Sequence, residues 1–295
     1  MTVASTPGAG VDQLDRTLEG LDRLEVARPR GPSRAHRCWS VAWPKLAGVG
    51  VALVLWQAVV SSGWKPDYVL PGPVPVLGNL AAHLGDGSAI AALGRTMSRA
   101  AVGFSIATLA GAALGLAVAR SRVLRAAVGS MITGLQTMPS IAWFPLSILL
   151  FGVSESAILF VVVMGAAPSI ANGIVAGVDQ VPPQLDRVGT IMGARGLRRV
   201  RHVLLPAAMP QMLAALKQGW AFAWRSLMAG ELIVVVAGQE SVGAQLQHAR
   251  DLADSVWMMS TMLLILCVGI AVDAVLGAVE RSMLRRRGLA VARND

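Results

Sequence analysis

The ionisable and aromatic side chains with the most unusual surroundings lie close together in one strongly apolar stretch of the sequence. Lys217, Trp220 and Trp224 are spaced i, i+3 and i+7, so they share one face of a helix. Arg225 adds a planar guanidinium, which suits oxyanions, and Glu231 follows six residues later. A cation beside aromatic rings predicts a path for a small anion with an apolar tail. The alternative is structural: Lys217 extends its head group to a membrane interface, and Arg225 and Glu231 pair with other helices.

Two amides are further candidates for such a path. Gln136 lies one turn before Pro139, and Asn172 follows Pro168. Because proline leaves backbone carbonyl groups without their usual helical partners, each amide has two possible roles, one in the path and one in satisfying these carbonyls. Histidine, cysteine and carboxylate residues are scattered along the chain. The sequence therefore predicts neither a catalytic group nor a metal site.

A short basic segment interrupts the apolar sequence. It reads GARGLRRVRHVLLPAAMP over residues 193–210, with four arginines and a histidine within residues 195–202. Just before it, Leu185, Val188 and Met192 fall on one helical face. The glycines at 193 and 196 allow a sharp bend, so we predict two short helices at an angle. Such a segment either docks into a groove on a cytoplasmic partner or lies on anionic lipid head groups.

The composition identifies the environment in which these residues work. The chain has 295 residues, of which 54% are hydrophobic and only 15% are charged, and its mean hydropathy is +0.58. Soluble domains contain about 25% charged residues, so this chain lacks the polar residues to cover a surface that faces water. The net charge of +9 in such a protein is typical of cytoplasmic loops and does not predict a nucleic-acid partner.

Six apolar stretches are long enough to cross a bilayer, which requires about 20 residues. They cover residues 46–61, 100–119, 126–151 (interrupted by two prolines), 156–178, 207–236 and 256–279. Backbone groups in lipid must be satisfied within their own segment. The predicted fold class is therefore an all-α polytopic membrane protein with about six transmembrane helices.

The basic residues predict the orientation of these helices. With the N-terminus inside, the segments 1–45, 120–125, 179–203 and 281–295 contain 20 of the 26 lysines and arginines, and both termini are cytoplasmic. The outer segments contain Lys65, Arg95, Arg99 and Arg250.

The predicted domains follow from these spans. They are a cytoplasmic tail at 1–43, partly disordered, a membrane domain at 44–281 that contains a cytoplasmic loop at 183–204, and a second cytoplasmic tail at 282–295.

The loop also carries a family resemblance. The spacing of Gly193-Ala194 from Leu205-Pro206 resembles the cytoplasmic loop signature of binding-protein-dependent ABC import permeases. Three further segments resemble the aliphatic-sulfonate, taurine and nitrate branch of that family: MPSIAWFPLSILLFG (138–152), AWRSLMAGELI (223–233) and VDAVLGAVERSMLRR (272–286). The likeness runs from about residue 46 to 287.

The resemblance implies a type I ABC importer permease in the cell membrane, with a small solute as cargo. It implies four kinds of partner: a second copy of the chain, two cytoplasmic ATPase subunits, an extracytoplasmic binding protein and the lipid bilayer. No Gly-x-x-x-x-Gly-Lys phosphate loop occurs in the sequence. The chain is thus expected to be no enzyme and to hold no cofactor, with ATP and magnesium on the partner ATPase.

The coupling residues implied by the resemblance depart from the signature at one point. They are Asp186, Arg187, Gly193, Ala194, Arg195, Gly196, Leu205 and Pro206. The signature opens with Glu-Ala-Ala, but this chain has Arg-Val-Gly at 187–189. Either Asp186 replaces the glutamate in contacting the ATPase, or Arg187 meets an acidic residue there.

The sequence leaves more than one class of substrate open. The cations of the 207–236 stretch favour a small oxyanion, such as an aliphatic sulfonate, taurine or nitrate. The alternatives are the same class of permease for a neutral or cationic nutrient, such as a thiamine-precursor pyrimidine, or an ion-coupled secondary transporter.

Overall fold

A computed structural model of the protein describes residues 34–236 and 238–286. Every regular element among the described residues is a helix, which confirms the predicted all-α class. The predicted tails at 1–43 and 282–295 lie mostly outside the described residues. The helices Arg34–Ser61 and Ser255–Arg286 continue across the predicted inner boundaries of the two tails, so these boundaries stay predictions.

The chain divides after Trp64 into two compact units. The described part of the first unit contains one helix, α1 (Arg34–Ser61), with Pro44 inside it. The second unit contains the other elements: α2 (Pro73–Gly85), α3 (Ser88–Arg120), α4 (Arg122–Thr137), a 3₁₀ turn (Ser140–Trp143), α5 (Phe144–Phe151), α6 (Glu155–Asp179), α7 (Pro183–Ile191), α8 (Gly196–Arg199), a π turn (Val200–Leu204), α9 (Leu205–Ile233), α10 (Val242–Asp251) and α11 (Ser255–Arg286).

Fewer helices than predicted qualify as membrane spans by length and apolar composition. Four do so among the described residues, namely α1, α3, α6 and α11, and α4 with the segment 140–151 would make a fifth. The predicted crossing at 207–236 forms α9, whose 29 residues extend about 43 Å at 1.5 Å per residue. Its sequence is less apolar than those of the four spans and includes Lys217, Arg225 and Glu231.

The third predicted crossing is bent. The axes of α4 and of the segment 140–151 meet at 104°. Pro139 explains the break, since its ring disfavours the helical conformation at the residue before it. Met138 is accordingly extended, with φ −70° and ψ 130°.

Helix α6 lies at the centre of the second unit, between α3 and α9. Small residues allow the close approach. A Cβ atom added at Gly111 of α3 would lie 2.6 Å from the carbonyl oxygen of Ala167, and one added at Gly173 of α6 would lie 2.1 Å from the Cβ of Ala215 in α9. Because both approaches are shorter than van der Waals contact, α3, α6 and α9 form one packed block.

Candidate coupling loop and translocation pathway

The 183–204 loop contains a helix on each side of its glycines. Helix α7 ends where Gly193 takes a φ of 81°, a left-handed conformation that glycine adopts without steric cost. The amide of Ala194 donates to the carbonyl of Gly189 at 2.9 Å, which closes the end of α7. Gly196, with a φ of 55°, then begins α8.

The second half of the loop continues directly into α9. Helix α8, the π turn and α9 follow one another without an interruption. Leu205 and Pro206 lie in the first turn of α9. Any movement of the π turn is therefore passed to a helix that lies in the packed block.

One contact in the loop was missed from the sequence. A Cβ atom added at Gly189 would lie 2.7 Å from Cγ2 of Val203, so α7 and the π turn touch only because residue 189 has no side chain. Gly189 stands where the family signature has its second alanine. That small residue is the signal from which a close contact could have been inferred.

Helix α7 exposes apolar side chains. The exposed fractions are 47% for Leu185, 52% for Val188, 85% for Ile191 and 81% for Met192. Helix α7 has nine residues, too few to cross a membrane. Apolar groups exposed together on such a helix are typical of a surface that a partner covers.

Charged residues of the loop are exposed as well. Arg187 and Arg195 are both exposed. The side chain of Asp186 lies outside the described residues. The choice between Asp186 and Arg187 for the contact with an ATPase therefore stays a prediction.

The aromatic stripe predicted on α9 is present, but the positive charge of Lys217 beside it is compensated by a carboxylate. The rings of Trp220 and Trp224 are stacked with centroids 6.2 Å apart, and Phe104 of α3 packs edge-on against Trp220 at 5.3 Å. Lys217 Nζ lies 3.4 Å from a carboxylate oxygen of Asp273 in α11.

Arg225 lies at a cavity of about 310 Å³. Its Nε donates to the carbonyl of Ala221 at 3.2 Å, and its guanidinium lies 4.6 Å from the centre of the Phe222 ring. Gln136 lines the same cavity and accepts a hydrogen bond of 2.6 Å from Asn172. The structure thus brings three of the predicted pathway residues together.

Glu231 is placed in a different setting. Its side chain is completely buried and does not line the cavity beside Arg225. It accepts hydrogen bonds from Arg99 Nη1 at 2.9 Å, from Thr96 Oγ1 at 2.9 Å and from the amide of Gly243 at 3.1 Å. Glu231 is therefore buried between helices and forms an ion pair with Arg99 of α3, which is the kind of pairing that the structural alternative describes.

Arg99 joins this carboxylate to two further groups. Its Nε donates to Glu155 Oε2 at 2.7 Å, its Nη2 also contacts Glu155, and Nη2 lies 3.2 Å from the amide oxygen of Gln239. Only 7% of Arg99 is exposed. Arg99, which precedes the predicted crossing at 100–119, lies inside the longer helix α3.

We name this set of side chains the arginine clasp: Thr96, Arg99, Glu155, Glu231 and Gln239, with the backbone amides of Val242 and Gly243. The amide of Val242 donates to Thr96 Oγ1 at 3.0 Å, so the clasp also satisfies the first amides of α10, which a helix leaves unpaired. It fastens α3, α6, α9 and α10 together at the end of the bundle opposite the 183–204 loop.

Within residues 34–236 and 238–286, no group of three or more histidine, cysteine or carboxylate side chains could hold a metal ion.

Comparison with known sequences identifies the family. The model of the family described as "Binding-protein-dependent transport system inner membrane component" matches residues 89–285. The chain is 30% identical to the riboflavin transport system permease protein RibX of Chloroflexus aurantiacus, over 82% of this chain and 91% of the relative. It is 28% identical to the nitrate import permease protein NrtB of Synechocystis, over 72% and 78%. With the putative aliphatic sulfonates transport permease protein SsuC of Bacillus subtilis the identity is 25%, over 80% and 85%.

Solved structures agree on the fold. The MetNI methionine ABC transporter in an inward-facing conformation has a chain that matches with a TM-score of 0.57 at 18% identity, covering 66% of this chain and 95% of that chain. An amino acid ABC transporter crystallised with histidines matches with a TM-score of 0.55 at 18% identity, covering 70% and 97%. The family match spans more than half of the sequence and includes α3, α6, α9, the loop and the clasp. The chain therefore belongs to the family of binding-protein-dependent transport system inner membrane components, and it is a multi-pass membrane permease subunit rather than an enzyme.

Proposed function

We propose that this chain is the permease of an ATP-driven ABC importer and that its 183–204 loop couples the membrane helices to a separate ATPase. The observation that carries this proposal is the exposed apolar surface of α7, formed by Leu185, Val188, Ile191 and Met192. Exposing such side chains to water is energetically unfavourable. We therefore infer that a groove on the ATPase covers them. The basic residues around them then meet acidic groups of that partner.

The contacts of the loop can transmit a displacement of α7 to the membrane helices. Gly189 of α7 is in direct contact with Val203 of the π turn, and the π turn continues into α9. Helix α9 packs along α6. A displacement of α7 by the ATPase therefore moves the central helices as a block, because close-packed interiors do not absorb displacement by compression.

The complete transporter contains more than this chain. We propose two copies of it, two ATPase subunits that bind ATP and magnesium, and an extracytoplasmic binding protein that delivers the solute. The basic residues of the inner segments support cytoplasmic termini. ATP binding would close the two ATPases and draw the coupling loops together, hydrolysis would let them separate, and this cycle would turn the permease between its inward-facing and outward-facing states.

For the substrate we propose a small oxyanion. The guanidinium of Arg225 borders the cavity of about 310 Å³, and among the described residues it has no carboxylate within 4.0 Å. Gln136 adds an amide to the same cavity. The relatives named for nitrate and for aliphatic sulfonates support this class.

A neutral nutrient is the second candidate, because the riboflavin permease relative is 30% identical over 82% of this chain. The two classes differ in their need for Arg225. Only an anionic substrate gains from its charge.

The coupling proposal is tested on the complete transporter in liposomes. Ile191→Asp with Met192→Asp places two charges on the exposed surface of α7. We expect substrate-stimulated ATP hydrolysis to be lost, because the charged surface no longer enters an apolar groove. Leu252→Asp is the matched control, since Leu252 is 72% exposed at the opposite end of the bundle. Full stimulation in the double variant would show that α7 is not the coupling element.

A further inference from the structure

A second cavity lies behind the loop, between it and the ends of the membrane helices. Its volume is about 520 Å³, larger than that of the cavity beside Arg225. Leu116 of α3 and Ile174 of α6 form one wall, and Leu204 and Met212 form the other. Ligand cavities of this size in proteins are mostly apolar with a few polar groups that fix the ligand.

Two arginines provide those polar groups. Arg120, the last residue of α3, and Arg199, the last residue of α8, both line the cavity. Among the described residues no carboxylate lines it. The acid at the end of α6, Asp179, forms an ion pair with Arg125 at 2.8 Å. The cavity therefore combines an apolar interior with a positively charged margin.

The position of the cavity restricts what can fill it. It is bounded by the ends of two membrane helices, α3 and α6, on the side of the chain that carries most of the basic residues. In the proposed orientation this is the depth of the cytoplasmic lipid head groups. Basic pockets between membrane helices on that side bind anionic head groups, and the apolar wall suits an acyl chain because neither carries polar groups that would lose hydrogen bonds.

We propose that this cavity binds one anionic phospholipid of the cytoplasmic leaflet. An acyl chain lies against Leu116, Ile174 and Met212, and the phosphate accepts hydrogen bonds from the guanidinium of Arg120. The lipid joins the end of α3 to the loop, so the coupling loop is held in place by a membrane component as well as by its own packing. This inference rests on the proposed function for the orientation of the chain only.

The test measures lipid retention by the full-length permease. The protein is placed in nanodiscs with equal amounts of phosphatidylglycerol and phosphatidylcholine, extracted, and examined by native mass spectrometry. We expect one phosphatidylglycerol per chain. Arg120→Gln should reduce its retention about tenfold, the effect of one hydrogen bond to a charged group. Arg122→Gln removes the same charge two residues away, outside the cavity lining, and should leave retention unchanged.

A second pair of variants tests the apolar part of the site. Ala119 lines the cavity, whereas Ala117 in the same helix does not. Ala119→Phe should fill the space and expel the lipid, and Ala117→Phe should not. Circular dichroism of each variant verifies that α3 still folds.

Three outcomes would overturn the proposal. They are equal retention of the two lipids, equal effects of Arg120→Gln and Arg122→Gln, and loss of the lipid when the ATPase subunits are added, which would assign the cavity to a protein partner. Retention requires neither ATP nor transport. A failure of lipid binding is therefore distinct from a failure of the Ile191 and Met192 variants to uncouple the transporter.

Discussion

The arginine clasp and the 183–204 loop lie at opposite ends of α6 and α9, and each depends on arginine. In the clasp, Arg99 is 7% exposed and every charged atom has a partner within the same chain. In the loop, Arg187 and Arg195 are exposed, and the neighbouring apolar residues Ile191 and Met192 face outward. The clasp is complete in one chain, whereas the loop presents the apolar surface that we propose the ATPase covers.

The difference follows from the free energy of burying charge. An ion removed from water is compensated only when its remaining donors and acceptors are also paired. The clasp meets this condition through Thr96, Gln239 and the amide of Gly243. A surface that a separate partner covers has to tolerate water before assembly, and the exposed arginines beside the apolar residues are consistent with this.

The largest expected effect is the loss of stability when the arginine clasp is disrupted. Glu231→Ala leaves Arg99, Thr96 and the amide of Gly243 without their buried acceptor, and removal of one member of a buried ion pair costs about 3–5 kcal/mol. We expect a large fall in the thermal unfolding midpoint of the purified protein. Glu155→Gln is the control, since that side chain is 36% exposed and water replaces part of the lost contact. Equal midpoints for these two variants would contradict a buried structural role for Glu231.

The next effect concerns the contact that links the loop to α9. Gly189→Leu forces side-chain atoms into Val203, which lies 2.7 Å from the position of a Cβ atom, and overpacking of this kind costs about 1–3 kcal/mol. Because the loop is outside the packed block, we expect a nearly normal unfolding midpoint but a loss of substrate-stimulated ATP hydrolysis. Val203→Ala in the same chain should restore part of the stimulation. An absence of any rescue would place the defect elsewhere.

A smaller effect is expected at the cavity between the two ends. Arg225→Gln keeps a hydrogen-bond donor but removes the charge, and a hydrogen bond to a charged group contributes about 1.5–3 kcal/mol. For an anionic substrate the KM of uptake should rise about tenfold with assembly intact. Arg250→Gln, on α10, is the control. Unchanged uptake would remove Arg225 from the pathway and favour a neutral nutrient.

The smallest effect is expected from Lys217 and Asp273. Their side chains are 35% and 62% exposed, and exposed ion pairs contribute about 0–1 kcal/mol. Lys217→Met should therefore change the unfolding midpoint by only a few degrees. If it also lowers uptake as strongly as Arg225→Gln does, Lys217 acts on the substrate and not only on Asp273. The reversed pair, Lys217→Asp with Asp273→Lys, separates these two roles.

The sequence predicted the elements whose cause is local. Apolar runs and their period identified the helices, Pro139 identified the break after α4, and the glycines at 193 and 196 identified the bend in the loop. Even the stripe of Lys217, Trp220 and Trp224 was visible, since residues three and four apart on one helix are neighbours whatever the rest of the fold does.

The partners of the charged residues were decided by the tertiary structure. Arg99 is 56 residues from Glu155 and 132 residues from Glu231, and no periodicity relates positions so far apart. The close packing of α3, α6 and α9 brings them together, and the same packing separates Glu231 from the cavity of Arg225. The sequence by itself determined a helical membrane protein with a basic loop, because the period of the helix and the thickness of the bilayer act on neighbouring residues. Only the folded chain determined which charges are buried in pairs and which remain for a partner, because burial depends on the other helices that surround a side chain.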